Sequence, residues 1–190
     1  RNKFIILLPG RLTAWKGQKI FIEAIKLLYD KEDTPPFEAI LLGNEQGRNV
    51  YKKQLIDLVL KHRLSKTIKF IDHCEEMPIA YGTANLVCSC SYEPEAFGRV
   101  SVEAQSMQVP IIASNIGGSK ETIIENKTGY LYNNKDPIDL AKSISELMQQ
   151  KYDTLKNIGI EGRKNVLKKF DVDKMCQTTF TEYKKLIELS

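Results

Sequence analysis

Histidine occurs twice, tryptophan once and cysteine four times in the 190 residues, and no two cysteines show a Cys-x-x-Cys spacing. With so few nitrogen and sulfur ligands, a structural zinc site is not expected, and no other metal is called for. Cys88 and Cys90 share one face of an extended segment, too far apart along it to bridge comfortably, so free thiols and a reducing, cytoplasmic setting are the expectation. No apolar run approaches the roughly 18 residues a spanning helix needs. The opening Arg1-Asn-Lys-Phe-Ile-Ile-Leu-Leu superficially resembles a charged leader. Its apolar part stops at Pro9-Gly10 and reads instead as a buried strand. A chain that starts on Arg also reads as a piece of a longer protein. The loop after that strand lacks both the Gly-x4-Gly-Lys-Ser/Thr and the Gly-x-Gly-x-x-Gly spacings, which removes the main support for P-loop ATPase and NAD readings.

What is present is ordinary for a globular domain: 42% hydrophobic and 27% charged residues, with a net charge of +4. The length suits one α/β domain over residues 1–190, and no repeat, low-complexity tract or long linker marks a boundary. Much of the positive charge lies on helical faces near the C-terminus, such as Arg163, Lys164, Lys168 and Lys169. A solvated face explains it better than a nucleic-acid patch, so no nucleic-acid partner is expected; the same faces leave a peripheral membrane contact open.

Short apolar runs alternate with amphipathic stretches, the pattern of a parallel, Rossmann-like sheet covered on both faces by helices. Strands are expected at 4–8, 37–42, 68–71, 85–90 and 110–114, with a small extended piece at 129–132. Helices are expected at 18–30, 50–62, 75–82, 99–108 and 120–125, and a helical tail over 137–150, 154–169 and from Asp171, capped by Asp136, Asp153 and Asp171. The Asp171-Val-Asp173 pair is read as a cap rather than a Mg²⁺ ligand. Ligands of such sheets bind beyond the carboxyl ends of the strands, so loops 9–17, 43–48, 72–76 and 91–98 should line one crevice.

The chemistry concentrates there. In Glu95-Ala-Phe-Gly-Arg-Val-Ser-Val-Glu103 a strand gives way to a helix at Phe97-Gly98, with one acid in the loop and one on the helix. The N–H groups of Phe97, Gly98, Arg99 and Val100 are first-turn donors at the positive end of a helix dipole, and Gly98, lacking Cβ, lets an anion approach the main chain. A diphosphate fits. Arg11 and Lys16, in Pro9-Gly-Arg-Leu-Thr-Ala-Trp-Lys-Gly17, add two cations on the rim. Glu103 can accept two hydrogen bonds from a ribose diol. Glu95 can hold sugar hydroxyls or sit near the anomeric carbon. A glycosidase acid pair is the competing reading, and the phosphate site beside the pair favours a nucleotide-linked donor. Trp15 is read as a packing residue and Gly117-Gly118 as a tight turn.

These residues, together with Pro110-Ile-Ile-Ala-Ser-Asn-Ile-Gly-Gly-Ser-Lys-Glu-Thr122, resemble the C-terminal domain of retaining, group-1 glycosyltransferases of the GT-B fold, some of which build lipopolysaccharide. The resemblance runs from Gly10 to about Tyr132. It implies one half of a GT-B enzyme and no cofactor, with a UDP- or GDP-sugar as donor. A missing N-terminal domain would bind a glycan or lipid-linked acceptor, and the chain alone would transfer little or nothing. It further implies that Arg11 and Lys16, beside Gly10, hold the diphosphate, Glu103 the ribose and Glu95 the sugar, with the base against Asp72-His73-Cys74. Arg11, Lys16 and Glu95 would be the catalytic set. Three positions depart from the family pattern: Asp72 and Gln108 stand where glycine is usual, and Cys90 where proline is. The localisation implied is cytoplasmic, up to the inner face of a membrane. A two-domain sugar-nucleotide epimerase, a phosphorylase, or a non-catalytic binding module shares the sheet.

Overall fold

The computed structural model describes residues 3–47 and 49–188. Arg1, Asn2, Arg48, Leu189 and Ser190, and with them the charged start of the opening segment and the last position of the 43–48 loop, lie outside the described residues.

Six parallel strands form one sheet in the order β3-β2-β1-β4-β5-β6. They are β1 (Phe4–Pro9), β2 (Phe37–Leu42), β3 (Ile68–Ile71), β4 (Leu86–Ser89), β5 (Ile111–Ser114) and β6 (Tyr130–Tyr132). Because strands of such a sheet are buried on both faces, they read as continuous apolar runs rather than as alternations. In β1, Ile6 and Leu8 enter one core layer and Leu7 the other. The first layer packs under α1 (Gln18–Asp30), α2 (Asn49–Lys61) and α6 (Pro137–Met148); the second under α3 (Met77–Thr83), α4 (Arg99–Ser106) and the short α5 (Ser119–Thr122). Phe21, Ile22, Ile25 and Leu28 of α1 are completely or almost completely buried, each contributing about 1.5–3 kcal/mol of transfer free energy. β1 pairs with β2 on one side, from Phe4↔Phe37 to Pro9↔Leu42, and with β4 on the other. The order of the sheet therefore reverses between β1 and β4, and the loops leaving Pro9 and Ser89 open a crevice at that switch point.

The tail is helical, as expected: α6 is followed by α7 (Tyr152–Lys169) and α8 (Val172–Glu188). Asp136 caps α6 by accepting from the N–H groups of Ile138 and Asp139, and Asp171 accepts from those of Asp173 and Lys174, so the Asp171-Val-Asp173 pair serves a helix start. Asp153 is a correction: the N-cap position of α7 is Lys151, two residues earlier than expected and without a side-chain cap, and Asp153 lies in the first turn, where its charge still favours the dipole. α7 lies on α4. A Cβ on Gly159 would fall 2.0 Å from the Gln108 carbonyl oxygen, and Asn165 Nδ2 donates to Gln105 Oε1 and to the Thr122 carbonyl, both at 3.1 Å. Arg163, expected on a solvated face, is exposed there and also donates to the Ser106 carbonyl. The helix carrying Glu103 is thus held by backbone contact and a buried polar network. α8, by contrast, buries none of its residues, and Met175, Phe180, Tyr183 and Leu186 stay in solvent.

α4 ends at Ser106, two residues before the expected 108, because Gln108 takes the left-handed conformation (φ 57°) and the Val109 N–H turns back to the Ala104 carbonyl at 3.0 Å. This explains why glycine suits that position and glutamine fits it with strain. α5 is shorter than expected at its carboxyl end, stopping at Thr122, whose hydroxyl donates back to the Gly118 carbonyl.

The four cysteines are free. Complete burial pushes the Cys90 thiol up from an ordinary 9.0 to about 12. A thiol held neutral by the fold contributes stability that is fully present below the unfolded pKa near 9 and is lost as pH rises through the folded value. Over that window the unfolded chain has released a proton that the folded chain keeps, so stability falls by up to about 1.4 kcal/mol per pH unit for this group. Urea midpoints taken between pH 8 and 11 are expected to drop, and to drop less steeply in Cys90→Ala. Equal slopes in the two proteins would contradict the assignment. Among the described residues no helix is long and apolar enough to cross a membrane.

Candidate functional site

The crevice beyond β1 and β4 is a cleft of about 560 Å³ lined by residues from the first-strand loop, the 43–46 turn, His73 and Cys74, Tyr81 of α3, Glu95 and the start of α4. A larger cleft, about 810 Å³, lies at the amino ends of the strands between Lys3, Pro36, Asn85, Val109 and Tyr152. Only the smaller one unites acids, cations and a helix N-terminus.

Glycine sets how closely these loops approach. A Cβ on Gly43 would lie 2.1 Å from the Gly10 carbonyl oxygen, so the ends of β1 and β2 meet backbone to backbone. The first loop is then anchored from below: buried Gln18 donates Nε2 to the Arg11 carbonyl at 2.8 Å and accepts from Tyr51 Oη at 3.1 Å. Arg11 stays exposed on the rim, its side chain 3.4 Å from Gln46 Oε1. Trp15, read as a packing residue, is half-buried on the cleft wall, with Lys16 Nζ 4.4 Å above its ring.

Gly98 (φ 77°, ψ 52°) precedes α4, and no side chain caps that helix. The Ser101 N–H bonds the Gly98 carbonyl at 3.0 Å, and among the described residues no acceptor takes up the N–H groups of Phe97, Gly98, Arg99 or Val100. The Gly117-Gly118 turn also supports the loop in front of it: a Cβ on Gly118 would fall 2.4 Å from the Phe97 carbonyl carbon, and the Gly118 N–H donates to the Glu95 carbonyl at 2.8 Å. The Phe97 ring stands edge-on to Phe170, 5.6 Å between centroids.

The two acids are engaged. Glu95 Oε1 accepts from Lys16 Nζ at 2.7 Å, a pair only 15% and 16% exposed, and from the Ser91 hydroxyl. Lys16 therefore does not stand as an isolated cation beside Arg11; it faces Glu95 across the cleft. Glu103 Oε2 accepts from Tyr81 Oη at 2.7 Å, and its Oε1 from Arg99 Nε at 3.2 Å and Nη2 at 2.9 Å. Burial, then the Glu103 hydrogen bond and charge, push the Tyr81 phenol far above its ordinary value, so it remains a donor. His73 and Cys74 lie on the cleft wall, and Asp72 turns outward to Lys52 Nζ at 2.5 Å. Lys52 also reaches Glu45 at 3.2 Å and is held above its usual range by hydrogen bonds to the two acids. In place of a glycine, Asp72 thus ties the loop at 72–74 to α2.

Every residue that the sequence singled out for this site lies on or beside the cleft. What sequence reading missed is Tyr81, Ser91 and Gln18, polar side chains buried in otherwise apolar surroundings. Their only sequence signal is a polar atom at a core position of an amphipathic stretch.

The model of the family described as "Glycosyl transferases group 1" matches residues 1–165. The chain is 27% identical over 146 residues to the D-inositol 3-phosphate glycosyltransferase of Corynebacterium diphtheriae, covering 76% of this chain and 34% of that protein. A glycosyltransferase crystal structure from Rickettsia africae superposes with a TM-score of 0.93 at 30% identity, over 100% of this chain and 49% of the other. Anabaena Alr3699/HepE in complex with UDP and glucose superposes with a TM-score of 0.88 at 28% identity, over 97% of this chain and 49% of that one. The chain thus spans between about a third and a half of these relatives' lengths.

Proposed function

The chain belongs to the group 1 glycosyl transferases, and from that premise we propose that residues 1–190 are a single C-terminal domain that binds a nucleoside-diphosphate sugar. The single observation that carries this reading is the convergence of the Arg11 side chain and the unpartnered 97–100 amides on one cleft at the switch point of the sheet. Such donors match the two negative charges of a diphosphate, and the dipole of α4 adds to them. Glu103, on the same helix, is the acceptor for the ribose diol. His73 and Cys74 form the wall for the base. UDP in the Anabaena structure supports a uridine nucleotide, with GDP as the alternative.

In the full-length protein the reaction is transfer of the glycosyl unit to an acceptor hydroxyl, a hexosyl transfer with retention of configuration. As the glycosidic bond breaks, negative charge grows on the diphosphate. Fixed donors already aimed there stabilise it without reorganisation. Lys16 and Glu95 act as a pair: the cation serves the leaving phosphate once the nucleotide competes for it, and the released carboxylate meets the sugar hydroxyls. Among the described residues the cleft holds no carboxylate besides Glu95 and Glu103, which supports attack on the face the leaving group departs from. The acceptor, a glycan or a lipid-linked glycan of the lipopolysaccharide kind, is bound by a domain outside this chain. The four free thiols support a reducing, cytoplasmic setting.

Calorimetric titration of the 190-residue chain with UDP- and GDP-sugars tests the reading. Saturable one-to-one binding of one of them, without turnover by the chain alone, is expected; no binding of either nucleotide sugar would overturn it. In the full-length enzyme, an α-linked donor giving a β-linked product would remove the retaining mechanism.

A further inference from the structure

A buried hydroxyl is costly unless bonded, and Tyr81, 2% exposed in the second core layer, spends its hydroxyl on one oxygen of Glu103. Phenylalanine would fill the same apolar space between Val87, Ala104 and Ile111. The two oxygens of Glu103 are held in different ways. Oε1 is bound by Arg99, four residues back on the same helix and 81% exposed, a surface ion pair that water screens and a ligand can displace. Oε2 is bound by a side chain from α3, which no rotation of α4's own residues can replace.

The geometry points to Tyr81 as the positioning residue that fixes Glu103 in the orientation that accepts a ribose diol, and so sets the preference of the cleft for ribonucleotides over deoxyribonucleotides. This rests on the reading of Glu103 given above. With Oε2 pinned from the core side, the carboxylate cannot rotate freely, and Oε1 is presented to the cleft when Arg99 swings out to solvent. Without the phenol, Glu103 has rotatable bonds to order and a competing attachment to Arg99, both of which weaken its grip on a diol. Burial, with the Glu103 hydrogen bond and charge, keeps the phenol protonated, so Tyr81 stays a donor on the alkaline side.

The test compares UDP with 2′,3′-dideoxy-UDP, and GDP with its dideoxy analogue, by calorimetry on the 190-residue chain. Tyr81→Phe is expected to weaken the ribonucleotide roughly tenfold, about 1.4 kcal/mol, while the dideoxy analogue binds within about twofold of wild type. Undiminished dideoxy binding is also the check that the variant is folded. Equal weakening of both ligands would show a merely structural tyrosine and overturn the proposal, as would no weakening of either. Glu103→Ala, run beside it, must abolish the discrimination and make a further Tyr81→Phe change silent. If Glu103→Ala keeps the wild-type preference for ribose, it is the diol assignment itself that fails, whatever Tyr81 does.

Discussion

Gly17→Ala is expected to lower the unfolding free energy by about 3 kcal/mol or more, the largest stability loss of any single methyl group added near the site. Gly17 closes the one-turn helix at Ala14–Lys16 in a left-handed conformation (φ 74°, ψ 22°) and stands directly before α1. A side chain in that conformation costs about 1–2 kcal/mol. A Cβ there would also lie 1.8 Å from the Cys90 carbonyl oxygen, where β4 ends, and neither backbone can give way cheaply. Overpacking of a well-filled interior adds about 1–3 kcal/mol. The same seam is stitched by the Tyr92 N–H on the Trp15 carbonyl at 2.9 Å. Opening it moves Lys16 away from Glu95 as well. Chemical denaturation, followed by fluorescence of Trp15, reads the loss as a shifted midpoint at unchanged slope. An unshifted midpoint would mean that the first loop and the end of β4 are not in contact.

The second large effect is on nucleotide affinity. Arg11→Ala is expected to weaken UDP or GDP by roughly 10- to 150-fold, the equivalent of one charge-assisted bond at about 1.5–3 kcal/mol. Its stability should stay at the wild-type level, because Arg11 is exposed and its side chain, among the described residues, makes only the 3.4 Å approach to Gln46. Glu103→Ala is expected to weaken the same nucleotide by a similar factor and, unlike Arg11→Ala, to destabilise the fold by about 1–3 kcal/mol, since the buried Tyr81 hydroxyl loses its acceptor. The two residues act on different parts of the ligand, so the double variant should lose roughly 100- to 20,000-fold by near-additivity. Titration calorimetry with matched thermal melts separates binding from folding. Wild-type affinity in both single variants would remove the cleft from consideration.

How far the sequence foretold this arrangement depends on how local each signal is. β2, β3 and α1 fall at 37–42, 68–71 and 18–30 as expected, because their apolar runs and periodicity are self-contained. The start of α4 at Arg99 was legible from Phe97-Gly98. Its end was not, since the left-handed Gln108 is imposed by the turn into β5 and by the contact with Gly159 of α7. The site residues were legible as types in loops that converge at one edge of a parallel sheet. Their pairings were not: Lys16 and Glu95 are 79 positions apart, Tyr81 and Glu103 come from different helices, and neither contact leaves a periodic trace. Gly117-Gly118 was read as a turn, and the need for two bare residues becomes clear only when the loop at Glu95–Phe97 is seen pressed against them. The amphipathic pattern of α8 was plain; that its apolar side finds no place in this core was not.

A crystal structure of the chain with its bound UDP-sugar tests the central claim most directly. The account predicts the diphosphate within hydrogen-bond distance of the Gly98, Arg99 and Val100 amides and of the Arg11 guanidinium, with the ribose hydroxyls on Glu103. A diphosphate seated in the cleft at the amino ends of the strands, near Lys3 and Tyr152, would contradict it.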